Sequence, residues 1–429
     1  MTQHSAQGFP WSHPTAHHPN QVDPDTKSST PEGITASNPE LLRLIVQQIS
    51  QRSRLTFAEF MELALYHPDQ GYYLRRASKI GATGDFFTSP HLGADFGELL
   101  AEQFVQIWQI LGQPQPFTLV EMGAGQGVLA SDILRYLTQH YPDCARSLQY
   151  RIVEKVATLI AAQQRQLMPW LDRGLSIQWT NLETIAAAPI VGCFFSNELI
   201  DAFPVHLIQM QAGQLQEVYV GWDGTELVEM VDQPSNPALT AYFERLGIDL
   251  TAPDYVEGYR SEVNLLALDW MQAVATGLQR GYVLTIDYGY PANRYYSRTR
   301  SQGTLQCYYQ HSHHNDPYRY VGMQDITAHV NFTALEMQGQ QCGLQTVGVT
   351  QQAMFLMALG LGDRIANLGQ STAEAHQDIN ALLRRRDALH SLINPMGLGN
   401  FGVLVQSKGL TESEKQHALT GLTIPDRGF

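Results

Sequence analysis

Three glycines two residues apart, Gly123, Gly125 and Gly127, follow the carboxylate Glu121 at the end of an apolar run spanning 119–122. A glycine loop between such a run and a helical pattern at 128–134 opens a nucleotide-type site at the carboxyl edge of a parallel sheet. Without a Cβ the loop backbone can approach a ligand closely and adopt positive φ. The dinucleotide fingerprint requires a glycine where this chain has Val128, which disfavours a pyrophosphate on the helix N-terminus and with it a nicotinamide dehydrogenase. Glu121 argues the same way, because a carboxylate repels pyrophosphate but attracts the ammonium or sulfonium of S-adenosylmethionine. An ordinary strand-to-helix turn would also explain a lone glycine loop, so the flanking residues decide.

Glu154 ends the next apolar run, 150–154, and a helical pattern follows over about 156–167, completing a βαβ unit. A carboxylate at the end of the second strand can accept both ribose hydroxyls of an adenosine. A third strand at 175–179 leads to Asn181 and Leu182, where backbone and an apolar side chain could contact adenine. The fourth run, 189–196, is continuously apolar, as expected of a strand covered on both faces, and it ends in Asn197, Glu198 and Asp201. Two carboxylates and an amide at the functional end of a central strand mark the place for substrate chemistry. Asp287 and Tyr288 end a fifth strand at 281–287 and line the same mouth, and runs at 344–349 and 401–405 supply a sixth and a seventh. The expected fold is α/β, a Rossmann-like class I methyltransferase sheet of seven strands.

Those strands need elements around them. Residues 39–116 read as a helical N-terminal region in which Thr56 caps a helix with Glu59 as its capping-box partner. This region carries a polar loop at 81–90, containing Gly84, Asp85 and Thr88, that covers the cofactor. The core is expected over 117–408, interrupted by insertions at about 205–260 and 289–340 that shape the substrate surface. The first insertion contains a hairpin at 206–211 and 215–222, and the second is rich in Tyr, Arg and His. Residues 1–38 read as a disordered tail and 409–429 as a C-terminal tail.

Bulk properties narrow the partners. A net charge of −14 argues against a broad nucleic-acid footprint and suits a cationic substrate. No apolar run is long enough to span a bilayer, so no membrane insertion is expected. Cys144, Cys193, Cys307 and Cys342 form no Cys-x-x-Cys pair and read as reduced, packed thiols. The tail lacks an apolar signal core and the arginines of a transit sequence, which places the expected setting in the cytoplasm. His17, His18, His311, His313 and His314 lack acidic or thiol partners at ligand spacing, so no metal site is expected. Oligomerisation is left open.

Several separate motifs occur together in order: 84–90, 96–98, the 121–127 loop, 197–204, 287–289 and 325–332. Together they resemble the MidA family over about residues 40–408, with Asn331 standing where the family motif more often has Asp. The resemblance implies a class I S-adenosylmethionine-dependent methyltransferase. Mitochondrial members are complex I assembly factors that methylate an arginine, which implies a protein substrate such as a complex I-type respiratory subunit. On that reading Gly84, Asp85, Thr88, Glu121, Gly123, Gly125, Gly127, Glu154, Asn181, Leu182 and Asn197 hold the cofactor. Glu198 and Asp201 localise the charge of a guanidinium and take a proton, Asn197 orients it, and His329 is a base or a substrate contact. Competing readings are a methyltransferase acting on a small molecule or another protein side chain, and a noncatalytic assembly chaperone built on the same fold.

Overall fold

The computed structural model describes residues 37–76, 89–310, 312–368 and 379–423. The expected disordered tail up to residue 36, the loop residues Gly84, Asp85 and Thr88, and His17, His18 and His311 lie outside the described residues.

Seven strands form the large sheet: β1 Phe117–Met122, β2 Leu148–Val153, β3 Ser176–Thr180, β4 Ile190–Asn197, β5 Leu278–Asp287, β6 Gln345–Gln351 and β7 Gly402–Lys408. Their spatial order is β6-β7-β5-β4-β1-β2-β3. All neighbours from β5 to β3 are parallel, while β7 runs antiparallel between β5 and β6. The chain starts at the centre with β1 and reverses direction across β4. That reversal is a topological switch point, where the carboxyl ends of β1 and β4 leave a crevice for ligands. All six residues of β1 are buried, consistent with a strand sandwiched between helical layers.

Helix Asp95–Ile110 and helix Val128–His140 cover one face, with Phe104 against Phe195 at 4.8 Å between ring centroids. Helix Leu265–Gly277 and helix Phe332–Gln341 cover the other, burying Trp270, Met271 and Leu335 against Val120, Phe194 and Val283. Each such aromatic or aliphatic side chain contributes about 1.5–3 kcal/mol on burial, and the sum holds the crevice open at a fixed place.

The first insertion departs from a simple hairpin. Strands His206–Gln211 and Gln214–Trp222 pair antiparallel, and strands Leu227–Asp232 and Arg260–Val263 extend them. Leu55–Thr56 from the N-terminal region adds a further strand, pairing with Val220 and Tyr219. Sequence proximity gave no hint of that long-range pairing. Its capping box at Thr56 and Glu59 does form as the spacing implies, and helix Phe57–Tyr66 packs its apolar face onto the insertion sheet. The second insertion carries a three-stranded sheet, Gln306–Tyr309, Ser312–His314 and Asp325–Thr327, and it ends at Asn331, since helix Phe332–Gln341 packs beneath the main sheet.

Two stretches assigned to tails are ordered where the structure describes them, at 37–38 and 409–423. Ser37 and Asn38 are buried, and the Asn38 side chain caps helix Pro39–Arg52 by accepting from Glu40 and Leu41 N–H. Residues 409–423 are no tail: Leu419 is buried in the main core, and Gln103 and Gln106 accept the backbone N–H groups of Gly421 and Thr420. The cysteines are free, and Cys144, Cys193 and Cys307 are fully buried. Among the described residues no helix is long and apolar enough to cross a membrane.

Candidate active site

A cavity of about 540 Å³ opens over the carboxyl ends of β1, β2 and β4. The glycine loop, the segment after β2, the turn after β4, the N-terminal tyrosines Tyr66, Tyr72 and Tyr73, the second insertion and the segment before β7 all contribute to its walls.

At one end the glycine loop and Glu154 face each other. Gly123, Gly125 and Gly127 all have positive φ, at 72°, 53° and 81°. A Cβ on Gly123 would lie 2.6 Å from Leu199 Cδ1, whereas one on Gly125 meets nothing within 4 Å and would project into open space. Space that only a missing side chain keeps clear is what a closely bound ligand needs. Gly123 N–H donates to Val153 O at 3.0 Å, tying the loop to the end of β2. Glu121 is buried, accepts the Tyr150 hydroxyl at 2.6 Å, and is pushed up to about 7 by desolvation. Glu154 accepts Val156 N–H at 3.0 Å and the Gln163 amide at 3.2 Å, and burial raises its pKa. An ionised carboxylate has about four acceptor sites, so two remain for ribose hydroxyls.

At the other end are Asn197, Glu198 and Asp201. Glu198 sits in the left-handed region at φ 52°, an uncommon and strained position for a residue with a side chain. Its Oε1 accepts from Ser89 N–H at 3.1 Å and from Asn197 Nδ2 at 3.0 Å. Desolvation, with repulsion from Asp201, pushes its carboxyl up to about 8. Asp201 accepts the Tyr288 hydroxyl on Oδ2 at 2.6 Å, and burial raises it to about 6. Asn197 Oδ1, Asp201 Oδ1 and His329 Nδ1 are buried without a hydrogen-bond partner among the described residues, and all three residues line the cavity. His329 stacks on Tyr290 at 5.0 Å with rings 11° apart. Burial and the nearby Arg300 guanidinium push it down to about 4, so the ring is neutral and can accept a hydrogen bond near neutral pH.

Some expected site residues fall elsewhere. Asp287 is fully buried beneath the cavity rather than at its mouth. Its carboxylate accepts Leu199, Ile200 and Tyr288 N–H at 3.2, 2.9 and 2.9 Å, so it builds the turn that presents Asp201. With Asp201 N–H at 3.4 Å, four backbone donors converge there, a stronger attractor for a carboxylate than an open mouth. Asn181 and Leu182 do not line the cavity; Asn181 caps helix Leu182–Ala187 through Thr184 N–H at 2.8 Å, and Leu182 packs against the core. Gly127 also lies off the cavity, as the residue before helix Val128–His140.

Other lining residues carried no role in the sequence reading. Tyr73 donates to Asp325 at 3.0 Å, and Tyr66 donates to Ala202 O at 2.9 Å. Burial, and after it the charges of Asp201 and Asp325, raises the Tyr66, Tyr73 and Tyr308 hydroxyls, and both aspartates line the cavity. Asp325 belongs to a motif already noted in the sequence, and Tyr73 to an aromatic turn, but neither spacing could reveal that they meet across some 250 residues, a separation of 252.

The arrangement can do two things. The glycine end fits an adenosine-bearing ligand by close backbone approach and a ribose-binding carboxylate. The acid end, with buried acceptors that no described residue satisfies, fits a group that is positively charged and rich in N–H donors.

Comparison with known proteins agrees. A family model described as "Putative S-adenosyl-L-methionine-dependent methyltransferase" matches residues 99–350. The human "Protein arginine methyltransferase NDUFAF7, mitochondrial" is 28% identical over 401 residues, covering 87% of this chain and 86% of that protein. The Drosophila melanogaster homologue is 26% identical over 388 residues, covering 84% and 83%. The crystal structure of a Burkholderia thailandensis superfamily member bound to S-adenosyl-homocysteine is 31% identical, with a TM-score of 0.76, and covers 93% of this chain and 98% of that one.

Proposed function

This chain belongs to the MidA-type family of S-adenosyl-L-methionine-dependent methyltransferases, and we propose that it methylates an arginine side chain of a protein. The observation that carries the choice of acceptor is the set of unpartnered buried atoms, Asn197 Oδ1, Asp201 Oδ1 and His329 Nδ1. A guanidinium brings five N–H donors in a planar fork and a positive charge, and so satisfies acceptors whose burial is otherwise costly. The names of the curated relatives support the same acceptor.

When bound, S-adenosyl-L-methionine supplies an electrophilic methyl group and departs as S-adenosyl-homocysteine. Gly123, Gly125 and Glu154, which line the cavity, would hold it, with Glu121 beside the loop. Asp201 and Asn197 accept N–H groups of the guanidinium, fix its plane and draw its charge away from the nitrogen that reacts. A delocalised guanidinium is a poor nucleophile, so localising its charge lowers the barrier. The cation lowers the raised Glu198 carboxyl so that it gives up its proton to solvent on acceptor binding, and the resulting carboxylate takes the proton that the nitrogen loses as its new bond to carbon forms. Tyr288 holds the Asp201 carboxylate in place from behind. The resemblance to the MidA family supports a complex I-type respiratory subunit as the acceptor protein.

The test is to incubate purified protein with methyl-labelled S-adenosyl-L-methionine and extract of cells lacking it, then map the label by mass spectrometry. Label on arginine is expected. Label confined to small molecules or to another side chain overturns the reading.

A further inference from the structure

Helix Ala157–Leu171 buries one stripe, Leu159, Gln163, Leu167 and Trp170. Three of these are apolar, and the fourth is an amide that is 0% exposed. Burying an amide without partners costs more than a leucine of similar volume would contribute, so packing alone does not account for Gln163.

Its hydrogen bonds do. Gln163 Nε2 donates to Gly125 O at 2.9 Å and to Glu154 Oε2 at 3.2 Å, and Gln163 Oε1 accepts Trp179 Nε1–H at 2.9 Å. Gly125 belongs to the loop after β1, Glu154 follows β2, and Trp179 stands near the end of β3. One side chain therefore joins the three consecutive strand ends on the cofactor side of the cavity. The helix also runs close beneath the loop: a Cβ at Gly127 would lie 3.3 Å from Gln163 Cα.

We propose that Gln163 is a positioning residue for the cofactor, its amide holding the Gly125 carbonyl and the Glu154 carboxylate in the geometry that receives the adenosine. The proton directions leave little freedom. Trp179 can only donate, which turns Oε1 of the amide toward it and Nε2 toward the two acceptors. With Nε2 on one oxygen and Val156 N–H on the other, the Glu154 carboxylate is fixed in rotation, with its remaining acceptor sites turned to the cavity it lines. Gln163 itself does not line the cavity and acts only through these neighbours. The inference rests on the cofactor occupying this end and is independent of what the acceptor is.

Calorimetric titration with S-adenosyl-homocysteine, which needs no acceptor, tests it on two variants. Gln163→Leu keeps the volume and removes both donors, and its Kd is expected to rise about tenfold. Gln163→Glu keeps the bond from Trp179 but sets a second carboxylate against Glu154, and its Kd should rise further. In steady state the KM for the cofactor rises by the same factor, while kcat at saturating cofactor and the KM for the acceptor stay at wild-type values. A folded Gln163→Leu with wild-type Kd overturns the proposal, as does a loss that falls on kcat or acceptor KM instead. Should both variants fail to fold, Trp179→Phe decides, because it frees only the far end of the amide. A rise in Kd of about threefold is then expected, and an unchanged Kd rejects the role.

Discussion

The two ends of the cavity are built on opposite principles. At the cofactor end polar atoms are paired within the protein: Tyr150 bonds Glu121, and Val156 and Gln163 bond Glu154. At the acceptor end Asn197 Oδ1, Asp201 Oδ1 and His329 Nδ1 have no partner among the described residues. The cofactor end is a preformed mould, and its recognition is written in shape and fixed hydrogen bonds. The acceptor end keeps acceptors in reserve and destabilises its own carboxylates by burial until a cation arrives.

The sharpest way to break this contrast is Gly125→Val. Its branched side chain enters the open space beside the loop at a φ of 53°, so affinity for S-adenosyl-homocysteine should fall by roughly 100-fold or more in a calorimetric titration. Wild-type affinity would show that the loop is not a mould. Asp201→Asn strikes the other end only. Turnover should drop by about 100-fold with the cofactor Kd unchanged, because the lost charge acts on the acceptor. If cofactor affinity falls with it, the two ends are not separable.

A third measurement sharpens the electrostatic side. A guanidinium placed among Glu198 and Asp201, which titrate near 8 and 6, lowers both and expels protons. Calorimetry of an arginine peptide near pH 7 in buffers of different ionisation enthalpy should show proton release, and S-adenosyl-homocysteine should show much less. A buffer-independent peptide enthalpy would contradict the idea that Glu198 waits in protonated form.

The smallest effect is on stability. Glu198 is raised from 4.5 to about 8, so the folded chain binds its proton more tightly than the unfolded chain. The stability this contributes is fully present below the unfolded value and is lost as pH rises through about 8. Glu198→Gln should therefore melt a few degrees higher than wild type at alkaline pH and near wild type in acid, read by thermal unfolding of the ligand-free protein. No gain at alkaline pH would show that the carboxylate is not destabilised where it sits.

The difference between the ends also explains what the sequence could reveal. Gly123, Gly125, Glu121 and Glu154 lie within 34 residues of one another on a βαβ unit, so local pattern was enough to bring them together. The seven strands were legible for the same reason, as short local runs, continuously buried at the centre in β1 and largely so in β4, and only partly buried in the edge strands β3 and β6. The acceptor end draws on Tyr73, Asp201, Tyr288, Asp325 and His329, whose meeting depends on how two insertions and the N-terminal helices fold over the sheet. Asp287 was misplaced at the mouth because its position at a strand end does not show that four backbone N–H groups converge on it. Asn181 was likewise claimed by its own helix as a cap. Gln163 could have been noticed: a lone amide in an apolar helical stripe requires partners, and counting its neighbours at a period of 3.6 would have shown that it faces inward.

The central claim, one cavity with a mould for the donor and an acid-lined receptor for an arginine, is tested most directly by a crystal structure with S-adenosyl-homocysteine and an arginine peptide bound together. The expected density puts the ribose on Glu154, the ligand backbone against Gly125, and the guanidinium within hydrogen-bond distance of Asp201 Oδ1. A guanidinium bound outside the cavity, or Glu154 turned away from the ribose, would contradict it.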